Sequence, residues 1–379
     1  MSILARRFVE TLAIVGLIVM GACAADAAAT AAKPAARADW KAEWDKVVAA
    51  AKKEGKVAVA GPPGEAYRDA LTAFQKAYPN VKVEYFGSTG SKFAPRALAE
   101  RRSGQYLWDV HIGGTTTMLT SLRPEGALAL LRPALIVPEV LDDGSWILGF
   151  DDGYADIEKK LIYSFIAVNN WTAYINRQAV PEDALKTLDD ILNDPRWKGK
   201  IAMHDPRPAG SGSRMLGTLL HTRGEEAVKR LLVDQEPAIT EDNRQLVEWL
   251  VRGRYPIALA VSSDQFVVFQ QAGMNLDHVK PLTGSDPGLS GVNNGFGSVV
   301  LMSNAPHPNA AKVYINWLLS REAQVIFSQQ TLYNSRRTDV QVVAPDRAFD
   351  PKGKYINLNK EEYGAVRARA QELAKKYIK

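Results

Sequence analysis

Two short loops carry residues suited to holding an anion. Ser88-Thr89-Gly90-Ser91 and Ala209-Gly210-Ser211-Gly212-Ser213 each place small hydrogen-bonding residues at the start of a predicted helix. The first backbone N–H groups of a helix have no partner within it and sit at the positive end of its dipole. Glycine lets a ligand approach that backbone closely, so such loops bind carboxylates and phosphates. The same residue types also serve as ordinary helix N-caps; two such loops, one in each half of the chain, favour the anion reading. Arg207, Arg214 and Arg336 are the arginines that could add bidentate recognition of a carboxylate or phosphate, and Arg207 and Arg336 enter the expected ligand set. Thr115, Thr116, Ser262, Ser263, Asp264, Asn293 and Asn294 follow apolar strands, where their side chains could line a cleft, although Asn293-Asn294-Gly295 reads equally as a turn.

Other chemistries find no motif. There is no Walker pattern, no GxSxG elbow and no HExxH, and Gly87-Ser-Thr-Gly-Ser-Lys92 lacks the spacing of a nucleotide loop. The five histidines, His111, His204, His221, His278 and His307, are far apart in sequence. Cys23 is the single cysteine and falls in the leader, which excludes disulfides, thiolate metal sites and thiol nucleophiles from the folded body. A net charge of +5, with no basic run longer than two residues in the body of the chain, is not a nucleic-acid footprint. No catalytic residue, cofactor or metal is expected; the competing enzyme-class reading is an exported hydrolase with a dispersed Ser-His-Asp arrangement.

The elements that must position these loops are legible. At roughly 150 residues per domain, 379 residues predict about two domains. Arg6-Arg7, the apolar run Thr11–Met20 and the small-residue sites Ala22-Cys23-Ala24 and Ala25-Asp26-Ala27 lay out a secretory signal peptide over residues 1–27. Met20-Gly-Ala-Cys23 also approaches a lipoprotein box, which makes Cys23 a candidate lipidation site. Residues 28–39 read as an Ala-rich flexible leader. From Trp40 the pattern gives an amphipathic helix closed by Gly55, then strand Lys56–Ala60, helix Glu65–Tyr78, strand Val81–Phe86, helix Ser91–Arg102 and strand Trp108–Ile112. This alternation implies a parallel sheet covered by helices, with ligands bound outside the carboxyl ends of the strands. Tyr163–Val168 reads as one buried strand. A second α/β series follows, including strand Lys200–Met203, helices Arg214–His221 and Glu225–Val233, strand Pro256–Val261 and helix Asp264–Ala272. Strand Gly297–Met302 and three further helices complete the chain.

Trp44-Asp-Lys-Val-Val-Ala-Ala-Ala-Lys-Lys-Glu-Gly55, Asp194-Pro-Arg-Trp-Lys-Gly-Lys-Ile201, Ala305-Pro-His-Pro-Asn-Ala-Ala-Lys312 and Trp317-Leu-Leu-Ser-Arg-Glu-Ala-Gln324 together resemble an extracellular solute-binding protein of a bacterial ABC importer, of the ferric-binding-protein-like group. The resemblance implies an α/β, two-lobed type II periplasmic binding fold with a central mixed sheet in each lobe and a hinge between them. Lobe 1 would comprise residues 40–162 and 293–345, and lobe 2 residues 163–292 and 346–379, with hinges near Tyr163–Asn169 and Gly291–Gly297. It further implies a periplasmic monomer that closes on its ligand and hands it to an ABC permease in the inner membrane. The expected contacts are Ser88, Thr89, Gly90, Ser91, Thr115, Thr116, Arg207, Gly210, Ser211, Gly212, Ser213, Ser263, Asp264, Asn294 and Arg336. Ferric binders of this group use adjacent tyrosines. Here Ala260-Val-Ser-Ser-Asp-Gln-Phe266 has none and Tyr333 has no tyrosine neighbour, so a small organic anion is the expected ligand. The alternative is a ferric receptor using Asp264 and Tyr333 with a synergistic anion.

Overall fold

The helix Trp40–Glu54 turns Trp44, Val47, Val48 and Ala51 to one face and packs them on the helix Pro308–Leu318. Gly55, at φ 72°, ends it in the left-handed region that a side chain disfavours. Glu54 then accepts from the N–H groups of Asn309 and Ala310, capping the helix beside it. The computed structural model describes residues 40–261, 264–284, 286, 288–349, 352 and 356–378. The expected signal segment 1–27, the leader 28–39, Cys23 and Ser263 lie outside those residues.

The strands Lys56–Gly61, Lys82–Gly87 and Val110–Gly113 run parallel with Lys56–Gly61 between the other two. Along Lys56–Gly61, Val57 and Val59 enter one core while Ala60 enters another across the sheet, which is why the strand is apolar without alternation. Ser298–Met302 adds antiparallel to Val110–Gly113, making the sheet mixed, as the family resemblance implies, rather than purely parallel. The second sheet has the order Val279–Pro281, Ala173–Asn176, Ile257–Leu259, Ile201–His204, Ala238–Thr240. Ile257 and Leu259 face one cluster and Ala258 the opposite one, so this sheet too is buried on both sides.

Between the sheets the chain crosses in three places. Val168–Trp171 and Ser290–Asn293 pair antiparallel as a two-stranded ribbon, and Ile356 bridges to Gly291 beside it. Tyr163–Val168 is not one strand. Tyr163–Ser164 belongs to the first sheet, paired with Ser298 and Val299, and Phe165 donates to the Gly297 carbonyl and accepts from Arg336 N–H. The crossover therefore starts several residues after the expected lobe boundary at 163. The two expected helices 214–221 and 225–233 are both present within Ser211–Lys229, separated where Gly224 leaves helical geometry (φ 78°, ψ −178°); the first starts three residues early, and the second runs into a wide turn Arg230–Asp234. The closing helix Gly364–Tyr377 packs along Ser211–Lys229. Among the described residues, no helix is long and apolar enough to cross a membrane.

His111 illustrates how tightly the first sheet is closed. It is 1% exposed, its Nδ1 lies 3.1 Å from the Ala60 carbonyl, its ring stacks on Phe93 at 4.3 Å, and Nε2 has no partner. Burial pulls its pKa from 6.5 down to about 4. The unfolded chain thus binds more protons between those two values, and stability rises with pH across that window. The contribution is fully present above 6.5 and is lost as pH falls to about 4, a loss of about 3 kcal/mol from this group. Urea denaturation of wild type and His111→Gln at the two ends of the window should show a smaller acid loss in the variant. Equal losses would remove His111 as the cause.

Candidate functional site

The Ser88–Ser91 loop follows the strand Lys82–Gly87 and opens the helix Gly90–Arg102. Its hydroxyls do not cap that helix. Ser88 Oγ donates to the Thr89 carbonyl, and Thr89 Oγ1 shares a hydrogen bond with Ser91 Oγ. Gly90 sits against the turn Thr115–Thr117, where a Cβ would lie 2.7 Å from Thr117 Oγ1, so the first two expected segments meet at one edge of the sheet. Thr115 is 2% exposed and its hydroxyl has no partner. Next to it, Gly114 faces the Gly295 carbonyl, and Gly295 in turn is packed on the Tyr333 ring, with 2.8 Å left for a Cβ.

The second loop opens the helix Ser211–Lys229, again without a side-chain cap onto the helix interior. Ser213 Oγ instead accepts from Gly210 N–H at 3.0 Å, reaching back out of the helix. Gly212 lies directly over the carbonyls of His204 and Asp205, where a Cβ would collide with backbone; only glycine lets the helix start this close to its own strand. Elsewhere in the same fold, helices that begin at Leu188, Asn243 and Arg321 receive caps from Thr187, Asp242 and Ser320. Helices that begin at Glu65 and Gly364 lack a side-chain cap as well, so what marks the starts at Gly90 and Ser211 is their glycines and hydroxyls.

The two sides meet. A cavity of about 100 Å³ is bounded by Thr116 and Thr120 from the first sheet's edge, by Gly210, Ser213 and Arg214 from the second, and by Arg367 from the closing helix. Arg214 has no hydrogen bond from its guanidinium and no carboxylate partner among the described residues. Its guanidinium is packed among protein atoms while the side chain keeps some surface in the cavity. Burial lowers its pKa from the ordinary arginine value, the nearby Tyr333 phenol opposes that shift, and the Arg367 charge adds to it.

The other two arginines are spent on the fold. Arg207 forms a bidentate pair with the buried Asp205, with Nε at 3.0 Å from Oδ1 and Nη2 at 2.8 Å from Oδ2. Arg336, 5% exposed, donates to the Ile147 carbonyl at 2.7 Å and to Asp152 at 2.9 Å. It lines a separate cavity of about 210 Å³ that also holds Asn294, whose Nδ2 donates to Ser164 Oγ. Asp264 opens the helix Asp264–Gln271. The structure thus brings together Ser88–Ser91 with Thr115–Thr116, and Thr116 with Gly210–Ser213. It does not bring Arg207, Arg336 or Asn294 to that cavity. Arg367 was not foreseen: it lies in the body of a charged helix, and its sequence neighbours carry no loop signal. Among the described residues no group of three His, Cys, Asp or Glu could hold a metal.

A family model for bacterial extracellular solute-binding proteins matches residues 69–348. The chain belongs to this family. Its fold is shared with iron-bound HitA from Pseudomonas aeruginosa, at 18% identity and a TM-score of 0.61 over 86% of this chain and 99% of that one. It is also shared with AfuA from Actinobacillus pleuropneumoniae with fructose-6-phosphate bound, at 19% identity and a TM-score of 0.63 over 86% and 98%. An uncharacterised Haemophilus influenzae protein is 28% identical over 191 residues, 49% of this chain and 53% of that protein, so the match spans about half of the relative's length. The family and fold place the chain among periplasmic binding proteins with two α/β lobes.

Arg336→Ala should behave as a fold mutation. Deleting the guanidinium leaves the Ile147 carbonyl and the Asp152 carboxylate short of a donor, at a cost of about 3 kcal/mol, read as a lowered urea midpoint. A loss below about 1 kcal/mol would mean that this pair behaves as a solvated surface bridge.

Proposed function

We propose that this protein is a receptor of an ABC importer that binds a small organic anion, bearing a carboxylate or phosphate, between its two lobes and delivers it to a permease in the inner membrane. The observation that carries this reading is the Arg214 guanidinium. It stands without a carboxylate partner among the described residues, at the side-chain-uncapped start of the helix Ser211–Lys229, in a cavity closed on its other side by Thr116. A partly buried cation with no counter-charge costs free energy that a bound anion would return. Backbone N–H groups of the loop, Ser and Thr hydroxyls and the guanidinium would replace the ligand's water. Lobe closure about the ribbon Val168–Trp171 and Ser290–Asn293 would bring Thr116 onto a ligand seated at Ser211.

Membership of a solute-binding family supports a binding protein rather than the hydrolase alternative. The ferric reading has support in the iron-bound neighbour and in Tyr333, which stands at the site. Against it, the Arg214 guanidinium interacts electrostatically with that phenol, and its charge repels a cation. Metal analysis of protein purified without chelator separates the two: stoichiometric iron would replace the anion reading.

A thermal-shift screen of carboxylates, phosphates, phosphonates, sugars, amino acids and ferric citrate tests the proposal. A ligand at one hundred times its Kd should stabilise by about 2.7 kcal/mol, a shift of a few degrees. Arg214→Met should abolish the anion shift while leaving the ligand-free Tm equal to or above that of wild type, because an uncompensated charge has been removed. A variant that keeps the full shift would remove Arg214 from the site.

A further inference from the structure

Arg214 is not the only guanidinium in its cavity. Arg367, from the closing helix Gly364–Tyr377, lines the same space of about 100 Å³. It is 8% exposed, and it donates only to backbone, to the carbonyls of Leu358 and Lys360. Neither arginine has a carboxylate partner among the described residues. They are close enough that the Arg367 charge makes Arg214 easier to deprotonate, while burial does the same to both. By contrast Asp205 and Glu361, close in sequence to the cavity's lining residues, are paired with Arg207 and Arg123. Gly364, where the closing helix continues from the turn Glu361–Tyr363 and donates its N–H to the Glu361 carbonyl, lines the cavity together with Gly210, so the free helix start there is the one at Ser211.

Resting on the reading of the cleft as an anion site, we propose that this cavity selects a doubly charged oxyanion, a phosphate or phosphonate group, over a singly charged one, with Arg367 as the residue that sets the preference. One carboxylate neutralises one guanidinium and leaves the other buried and uncompensated. A phosphoryl dianion neutralises both, and its tetrahedral oxygens present acceptors to the two guanidiniums and to the helix start at Ser211 at once. The cavity holds about three waters' share of liquid volume, which suits a tetrahedral headgroup with the rest of the ligand outside it. Because Arg367 also fastens residues 358–360, anion binding there would tie the third crossing of the chain to the ligand.

The test uses two isosteric probes, methyl phosphate and methyl sulfate, titrated calorimetrically into the mature protein on either side of the phosphate monoester's second ionisation, near pH 6. The ionisable protein groups nearby are His204 beneath Gly210, whose pKa burial lowers, Asp205 and Glu241 beside it, and Tyr333 beside Arg214; methyl sulfate, whose charge is fixed, reports any change they cause on a singly charged ligand. Well above that pH methyl phosphate should bind about tenfold tighter or more, and well below it the preference should collapse to near unity. Arg367→Gln should shrink the high-pH preference while methyl sulfate affinity changes little, and Arg367→Lys should restore part of it. If Arg367→Gln does not fold, the wild-type ratio alone still decides. Equal affinities at high pH would overturn the dianion inference and leave the anion reading standing. Failure of both probes to bind at millimolar concentration would overturn the anion reading and this inference with it.

Discussion

A guanidinium held among protein atoms without a counter-ion among the described residues is the constraint around which the rest of this molecule is arranged. Arg214 could be neutralised cheaply, since Asp205 is nine residues upstream on the adjoining strand end and fully buried. The fold instead assigns Asp205 to Arg207 through a bidentate pair, and among the described residues Arg214 has a phenol and a second arginine for electrostatic company. Holding a charge in that state requires that it cannot swing away to solvent. The helix that carries it is anchored at its first turn by Gly212, pressed onto the carbonyls of His204 and Asp205, and along its length by the closing helix. The desolvation cost is several kcal/mol per unpaired ion in general terms, and the two extensive cores on either side of each sheet are what can bear it.

The three chain crossings follow from the same requirement. A cavity shared by two sheets cannot sit inside either core, so it lies where the chain passes between them, bounded by strand ends and helix starts. The ribbon Val168–Trp171 with Ser290–Asn293 provides two crossings, and the segment around Ile356 provides the third. That third segment is fastened to the first sheet's side by Glu361 on Arg123 and by Glu361 N–H on the Ala155 carbonyl, then passes into a helix packed on the second. Motion of one lobe against the other must therefore bend the ribbon and carry or strain this fastening together.

The parts of the fold that depend on local chemistry were legible from residues alone. The helix from Trp40 with Gly55 as its stop, the strand Lys56–Gly61 with its apolar run Val57–Ala60 and the helix from Glu65 all follow from periodicity and capping, which act within a few residues. What was misread depends on partners distant in sequence. Tyr163–Val168 looks like one strand because all six residues are buried, yet its two ends hydrogen-bond to different parts of the molecule, Ser298 at one and Asn293 at the other. Periodicity cannot detect a change of sheet within a run that is buried throughout.

The arginines show the same divide in the site itself. Arg207 and Arg336 stand near loop signals and were expected to face a ligand, but each has a carboxylate within reach, and a charge satisfied by the fold has little left for a solute. Arg207's partner is two residues away and could have been read from Asp205-Pro-Arg207; Arg336's partner, Asp152, is 184 residues away and could not. Arg367 gave no signal, because what distinguishes it is that no acid among the described residues pairs with it in space. In a receptor built this way, function resides in buried charges the fold declines to neutralise, and that property belongs to the assembled cavity rather than to any stretch of sequence.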